Sequence, residues 1–209
     1  MFPLWFHPLS RVVSPIFAFL VVEGLFHTKN KFKYNVRLIG WAIFMELGNK
    51  LLGLKGIQVG NNIFLTLALG LTILNMFELS KKKQGIQKIV FILLGMVLIP
   101  LGIFTEGGLS VIPFIVITYV FRGKMKKSIL AYLVLSIAMF GISYTPYPTL
   151  NETIGMLMFN SDFLFILVIP FMFLYNGERG LNNKFSKYLF YVFYPLHLWL
   201  LAIIGYLFN

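Results

Sequence analysis

"FAFLVVEGLFHTKNK", Phe17 to Lys31, is the stretch whose reading decides the fold. It begins as an apolar run of the kind that is buried in lipid. Glu23 interrupts the run, His27 follows four residues later, and the chain then turns basic at Lys29 and Lys31. Two readings are open. The pair is a working site inside a membrane helix, or the helix simply ends in polar residues and Glu23 meets a neighbouring Lys or Arg.

The composition of the whole chain supports the lipid reading. Of 209 residues, 58% are hydrophobic and 12% are charged, against about 25% charged in a soluble domain. A core of ordinary size cannot absorb that much apolar sequence, so the bilayer is the natural solvent. The hydropathy predicts spans at roughly 9–26, 38–54, 62–79, 89–104, 109–121, 128–144, 162–175 and 188–208. The expected fold is therefore all-α: one polytopic integral membrane helix bundle over residues 1–209, with about eight transmembrane helices. The fifth span is the shortest. Only the turn "TEGG", Thr105–Gly108, separates it from the fourth, and the two together also fit a hairpin that does not fully cross.

The net charge of +11 would suggest nucleic acid in a soluble protein. Here the charges fall in alternate gaps between apolar runs. Lys29, Lys31, Lys33 and Arg37 form one group; Lys81, Lys82, Lys83 and Lys88 a second; Arg122, Lys124, Lys126 and Lys127 a third; Arg179, Lys184 and Lys187 a fourth. By the positive-inside rule these gaps are cytoplasmic, so no nucleic acid is required. Both chain ends and the long loop "TPYPTLNETIGMLMFNSD" then lie outside. Without cysteine there is no disulfide and no thiol nucleophile. Three histidines without H-E-x-x-H spacing argue against a zinc site.

A charge inside a membrane helix costs about 2.5–3.5 kcal/mol on insertion scales, so such residues usually face the bundle interior and carry function. Glu23 and His27 lie on one helix face, and a carboxylate there can orient an imidazole as an acid–base pair requires. In "YLFYVFYPLHLW", Tyr188, Tyr191, Tyr194 and His197 recur every three residues along the last span. Pro195 frees the carbonyl of Tyr191. His197, ten residues past Lys187, lies about 15 Å into the bilayer. It is either half of a site or a structural histidine bonded to another helix. Glu46 and Lys50 are spaced for an ion pair on one face. Arg11 either snorkels outward or donates to a partner inside. The loop "NGERGLNNKFSK" sets glycines beside Arg179 and Lys184, which suits phosphate without forming a nucleotide motif.

Three segments in order, "SPIFAFLVVEGLFHT" at Ser14–Thr28, "KYNVRL" at Lys33–Leu38 and "KYLFYVFYPLHL" at Lys187–Leu198, resemble the TraX family of membrane proteins, named for an acetylase of conjugative pilin. Between about 40 and 175 the likeness is one of hydropathy. The resemblance implies a multi-pass acyltransferase of the bacterial cytoplasmic membrane, with acetyl-CoA as donor and an envelope polymer or pilin-like protein as acceptor. It makes Glu23, His27, Tyr34, Arg37, Tyr194 and His197 the positions of interest. On that reading His197 or His27 is the general base, with Glu23 orienting His27. Arg37, Tyr34, Arg179 and Lys184 meet the donor, and Tyr194 and Arg11 the acceptor.

Relatives usually carry an earlier helix with an Asp-His pair followed by Ile-Gly, ahead of the segment that here begins at Ser10. Only nine residues precede Ser10. The resemblance thus implies either a shortened copy or a start upstream of Met1. If the Asp-His pair is the base, the resemblance leaves an inactive copy as one of the open readings. Two other classes stay open from the residues alone. One is a small-solute transporter lined by the buried Glu, Lys and His; the other is a non-catalytic membrane partner.

Overall fold

A computed structural model describes residues 6–178 and 183–208. Among these residues every regular element is a helix. The order is α1 (Phe6–Ser10), α2 (Val13–His27), α3 (Lys31–Gly53), α4 (Ile63–Ser80) and α5 (Gly85–Leu98), which continues as a 3₁₀ stretch, Ile99–Phe104. Then come α6 (Gly108–Val120), α7 (Met125–Ser143), α8 (Leu150–Phe159), a second 3₁₀ stretch (Ser161–Val168), α9 (Ile169–Leu174) and α10 (Lys184–Leu207). Among the described residues five helices are long and apolar enough to cross a membrane, or six if α8 and Ser161–Leu174, bent by 52°, form one broken span. The chain thus has the build of a multi-pass membrane protein. The predicted count of eight is finer than these lengths show.

The two helices outside that count explain the difference. α6 has 13 residues, about 20 Å of helix against a hydrocarbon core of about 30 Å. It is short because protein, rather than lipid, surrounds it. Ser110, Val111, Ile112, Phe114, Ile115 and Thr118 are all buried. α3 is long, at 23 residues, but polar. The sequence predicts its start near 38. It starts instead at Lys31, because the Asn30 side chain accepts a hydrogen bond from the Lys33 amide at 2.8 Å and caps it. Lys31, Lys33, Tyr34 and Arg37 therefore stand on a helix and not in a loop.

A second correction concerns residues 145–162, expected as a loop. Leu150–Phe159 are helical. Thr149 and Glu152 close a reciprocal capping box, with the Glu152 amide on Thr149 Oγ1 and the Thr149 amide on Glu152 Oε2, both at 3.2 Å.

The core lies where α2, α4 and α6 meet. Phe64, Phe114, Tyr132 and Phe165 are fully buried. Phe114 stacks on Tyr132 at 4.8 Å, and the Tyr132 hydroxyl is satisfied by Thr118 Oγ1 at 2.8 Å, as a buried phenol requires. α5, α7 and α10 turn long apolar faces outward, as lipid-facing helices do.

The turn into α6 needs two glycines. Gly107 has φ +62°, a backbone that L side chains rarely adopt. At Gly108 a Cβ would lie 2.0 Å from the Gly102 carbonyl oxygen and 2.5 Å from Thr105 Oγ1. Backbone cannot yield there, so Gly108→Ala is expected to cost about 1–3 kcal/mol, the usual range for overpacking. Gly40→Ala, with open space at the Cβ, is the control and is expected to be neutral or slightly stabilising. Chemical unfolding in detergent micelles checks both, and equal midpoints would refute the prediction.

Candidate functional site

The turn His27–Lys31 brings α2 and α3 together, and Tyr34 folds back over Gly24. A Cβ on Gly24 would meet the Tyr34 hydroxyl at 2.8 Å, so the glycine makes room for the phenol. Behind Tyr34, the Arg37 guanidinium sits against two rings, 5.3 Å from the centroid of Tyr34 and 5.6 Å from that of Tyr191. Its Nε is sealed from solvent without a hydrogen-bond partner. Among the described residues, no carboxylate lies within ion-pair distance of Arg37.

Glu23 is nearly buried, with a side chain 10% exposed. Its two oxygens accept from Arg122: Nε donates to Oε1 at 2.9 Å and Nη2 to Oε2 at 2.8 Å. This fork-on-carboxylate geometry is the strongest ion pairing available to the two groups, and Glu23 raises the pKa of Arg122 still further. His27 Nε2 lies 3.8 Å from Glu23 Oε2. That is close enough for electrostatic attraction but too long for a hydrogen bond.

Two open cavities meet at this carboxylate. One, of about 490 Å³, is lined by His27, Tyr34, Arg37, Lys29 and Glu178 among others. The other, of about 680 Å³, is lined by Arg122, Lys81, Phe26, Tyr119 and Ser128 among others. Glu23 and Tyr175 belong to both walls. Close by, Glu78 at the end of α4 accepts from Lys31 and Tyr119 and from Lys81 Nζ at 2.8 Å. Its carboxylate raises the pKa of Lys81.

The structure therefore unites four of the predicted positions, Glu23, His27, Tyr34 and Arg37, at one end of the bundle. It adds Arg122 and Tyr175, which sequence reasoning missed. Arg122 stands in a run of basic residues at 122–127, with no local signal to separate it from the rest. Its carboxylate is 99 residues away.

His197 and Tyr194 do not join this group. α10 runs beside α3 in the same direction: Tyr191 meets Trp41, and Trp199 Nε1 donates to Asn49 Oδ1 at 2.8 Å. From the level of Tyr191 and Arg37, six residues of α10 carry His197 about 9 Å farther along the axis, away from His27. The partner of His197 is its own helix, through Nδ1 and the Phe193 carbonyl at 2.9 Å. Its ring lies between Phe193 and Tyr194. The Tyr194 hydroxyl donates to Glu106 Oε2 at 3.0 Å, and Asn61 donates to the other oxygen at 2.8 Å. This cluster ties α10 to the turn before α6.

Arg11 also lies apart. It pairs with Asp162 at 3.1 Å and donates to the Phe159 carbonyl at 2.9 Å, pinning the start of α2 to the α8 bend. The predicted Glu46–Lys50 pair is long, 4.0 Å, and exposed, where such pairs contribute little. Arg179 lies outside the described residues. Lys184 begins α10, and its side chain is also outside what is described.

A curated relative from Dichelobacter nodosus, described as probable fimbrial assembly protein FimC, serogroup H1, is 26% identical over 205 residues, covering 93% of this chain and 80% of its own length. No solved structure matches significantly. The family model described as TraX protein matches residues 3–205, including the middle of the chain where the likeness read from the sequence was only one of hydropathy. By that match the chain belongs to the TraX family.

Proposed function

We propose that the chain is an integral-membrane acyltransferase that moves an acetyl group from acetyl-CoA to an amine or hydroxyl of an envelope or pilin-like acceptor. The observation that carries the proposal is the carboxylate-imidazole pair, Glu23 and His27, opening into one cavity with an arginine that has no carboxylate partner among the described residues. Membership of a family with a relative named for fimbrial assembly supports an acceptor of that class. In this reading the chain crosses the membrane eight times, the basic gaps face the cytoplasm, and the cavity opens on the acetyl-CoA side.

Each residue then has a role. Glu23 beside Nε2 favours the proton there, which leaves His27 Nδ1 to accept the acceptor's proton. The acceptor attacks the acetyl carbonyl carbon, the carbon–sulfur bond breaks, and CoA leaves as the thiolate, which takes up a proton. Arg37 and Lys29 meet a phosphate of the donor. Tyr34 and Tyr191 hold Arg37 in place.

The test is direct. Purified protein is incubated with radiolabelled acetyl-CoA and crude envelope acceptors. Transfer of label, or CoA release, well above a mock preparation is expected. Neither product above the mock level would overturn the enzyme reading. Uptake of a small solute by proteoliposomes would then favour the transporter class.

A further inference from the structure

Two cations line the larger cavity, Arg122 and Lys81. Both are paired, but in different ways. Lys81 shares Glu78 with Lys31 and Tyr119, so that carboxylate is fixed from three elements. Arg122 has Glu23, whose other titratable neighbour within ion-pair distance among the described residues is His27 at 3.8 Å. Glu23 is also the one carboxylate among the residues that line this cavity. While it sits on the guanidinium, the cavity carries little net positive charge. Displaced, it frees the Arg122 fork, while Lys81 stays on Glu78.

The arginine is built for such an exchange. Its guanidinium lies 4.1 Å from the centroid of the Phe26 ring, which holds the group in place whichever anion it binds. Its side chain is 41% exposed. A phosphate presents the same paired oxygens to the fork as a carboxylate does, with more charge. The wall that Glu23 and Tyr175 share separates this cavity from the one holding Arg37.

We infer that Arg122 is a recognition residue for a diphosphate-bearing ligand spanning both cavities, and that Glu23 occupies its fork until the ligand's phosphate displaces it. The identification of that ligand as acetyl-CoA rests on the function proposed above; its diphosphate would meet Arg122 and its ribose 3′-phosphate Arg37. The displaced carboxylate has the His27 imidazole as its remaining neighbour within ion-pair distance among the described residues, so donor binding and the orienting of His27 become one event. Glu23 is here a positioning residue. It competes with the ligand and improves the base when released.

The competition gives a signature that structural damage cannot imitate. Calorimetric titration of the full chain in detergent micelles with inorganic pyrophosphate, and separately with CoA, is the experiment. Glu23→Gln is expected to bind pyrophosphate about tenfold more tightly than wild type, because the competitor is gone. Arg122→Gln is expected to bind it about tenfold more weakly, and Arg122→Lys, which keeps the charge but loses the fork, to fall between.

Misfolding would weaken binding, never tighten it. If Glu23→Gln does not fold, Glu23→Asp, whose reach to the fork is shorter, must still bind more tightly than wild type. Pyrophosphate affinity that does not rise in a folded Glu23 variant, or does not fall in Arg122→Gln, overturns the inference. CoA binding that ignores Glu23 overturns the inference and leaves the acyltransferase reading standing. The expected pyrophosphate pattern with no CoA binding keeps the anion site and overturns acetyl-CoA as its ligand.

Discussion

His27→Ala is expected to lower acetyl transfer by about 10²–10⁴-fold, the range a positioned general base supplies. The loss is expected in kcat, with little change in the KM for acetyl-CoA, because Arg37 and Arg122 stay in place. The same substitution at His197 is expected to cost less than about tenfold. The two histidines differ in what surrounds them. His27 faces a cavity and has a carboxylate beside Nε2. His197 spends Nδ1 on the Phe193 carbonyl of its own helix and stacks between rings. No described carboxylate stands within ion-pair distance of His197 to orient it or to stabilise its charged form.

Glu23→Gln makes a sharper test, since it should bind pyrophosphate more tightly yet turn over more slowly. Initial rates over a range of acetyl-CoA concentrations separate the cases. A transfer rate that survives His27→Ala but collapses with His197→Ala would reassign the base to the last span. It would also place the acceptor deeper in the membrane.

The sequence showed the helix faces but not the contacts between helices. Glu23 and His27 are four apart on one helix, and that spacing alone puts them side by side. Tyr34 and Arg37 were found through a resemblance. They were expected in a loop, because their charges break the hydropathy that marks a span; a capped, polar helix is invisible to that measure. The Thr149-x-x-Glu152 signature was readable as a cap, but Pro146, Pro148 and the asparagines around it favoured a loop. Arg122 had no local mark at all. Which of the basic residues at 122–127 reaches Glu23 is decided by how α6 packs on α2, and that depends on side chains from four helices. His197 shows the converse. A histidine deep in a span needs a hydrogen-bond partner, and the expectation looked across the bundle. The helix supplied the acceptor itself, one turn back.

A large loss of stability is also expected at Glu78. This carboxylate joins three elements: Lys31 from the start of α3, Lys81 just past α4, and Tyr119 from α6. It is mostly buried, with 14% of its side chain exposed. Removing one member of a buried ionic group costs about 3–5 kcal/mol, because the partners keep their charge without compensation. Lys81 is 62% exposed and can rehydrate, so Glu78→Ala belongs near the lower end, about 3 kcal/mol. Lys31 is less free, at 34% exposed, and it is the ammonium left in the poorer position.

Glu78→Gln keeps an acceptor for the Tyr119 hydroxyl but not the charge, and is expected to lie between wild type and alanine. Lys31→Ala in the Glu78→Ala background should then cost less than Lys31→Ala alone, since the ammonium it removes is already uncompensated. Denaturant titration in micelles reads all four. A loss below about 0.5 kcal/mol for Glu78→Ala, the range of an ordinary surface change, would show that the network contributes nothing to holding α3, α4 and α6 together. The effect should also reach the site. Lys81 and Tyr119 line the cavity that holds Arg122, so Glu78→Ala, which frees the Lys81 ammonium, is expected to tighten pyrophosphate binding where the protein remains folded.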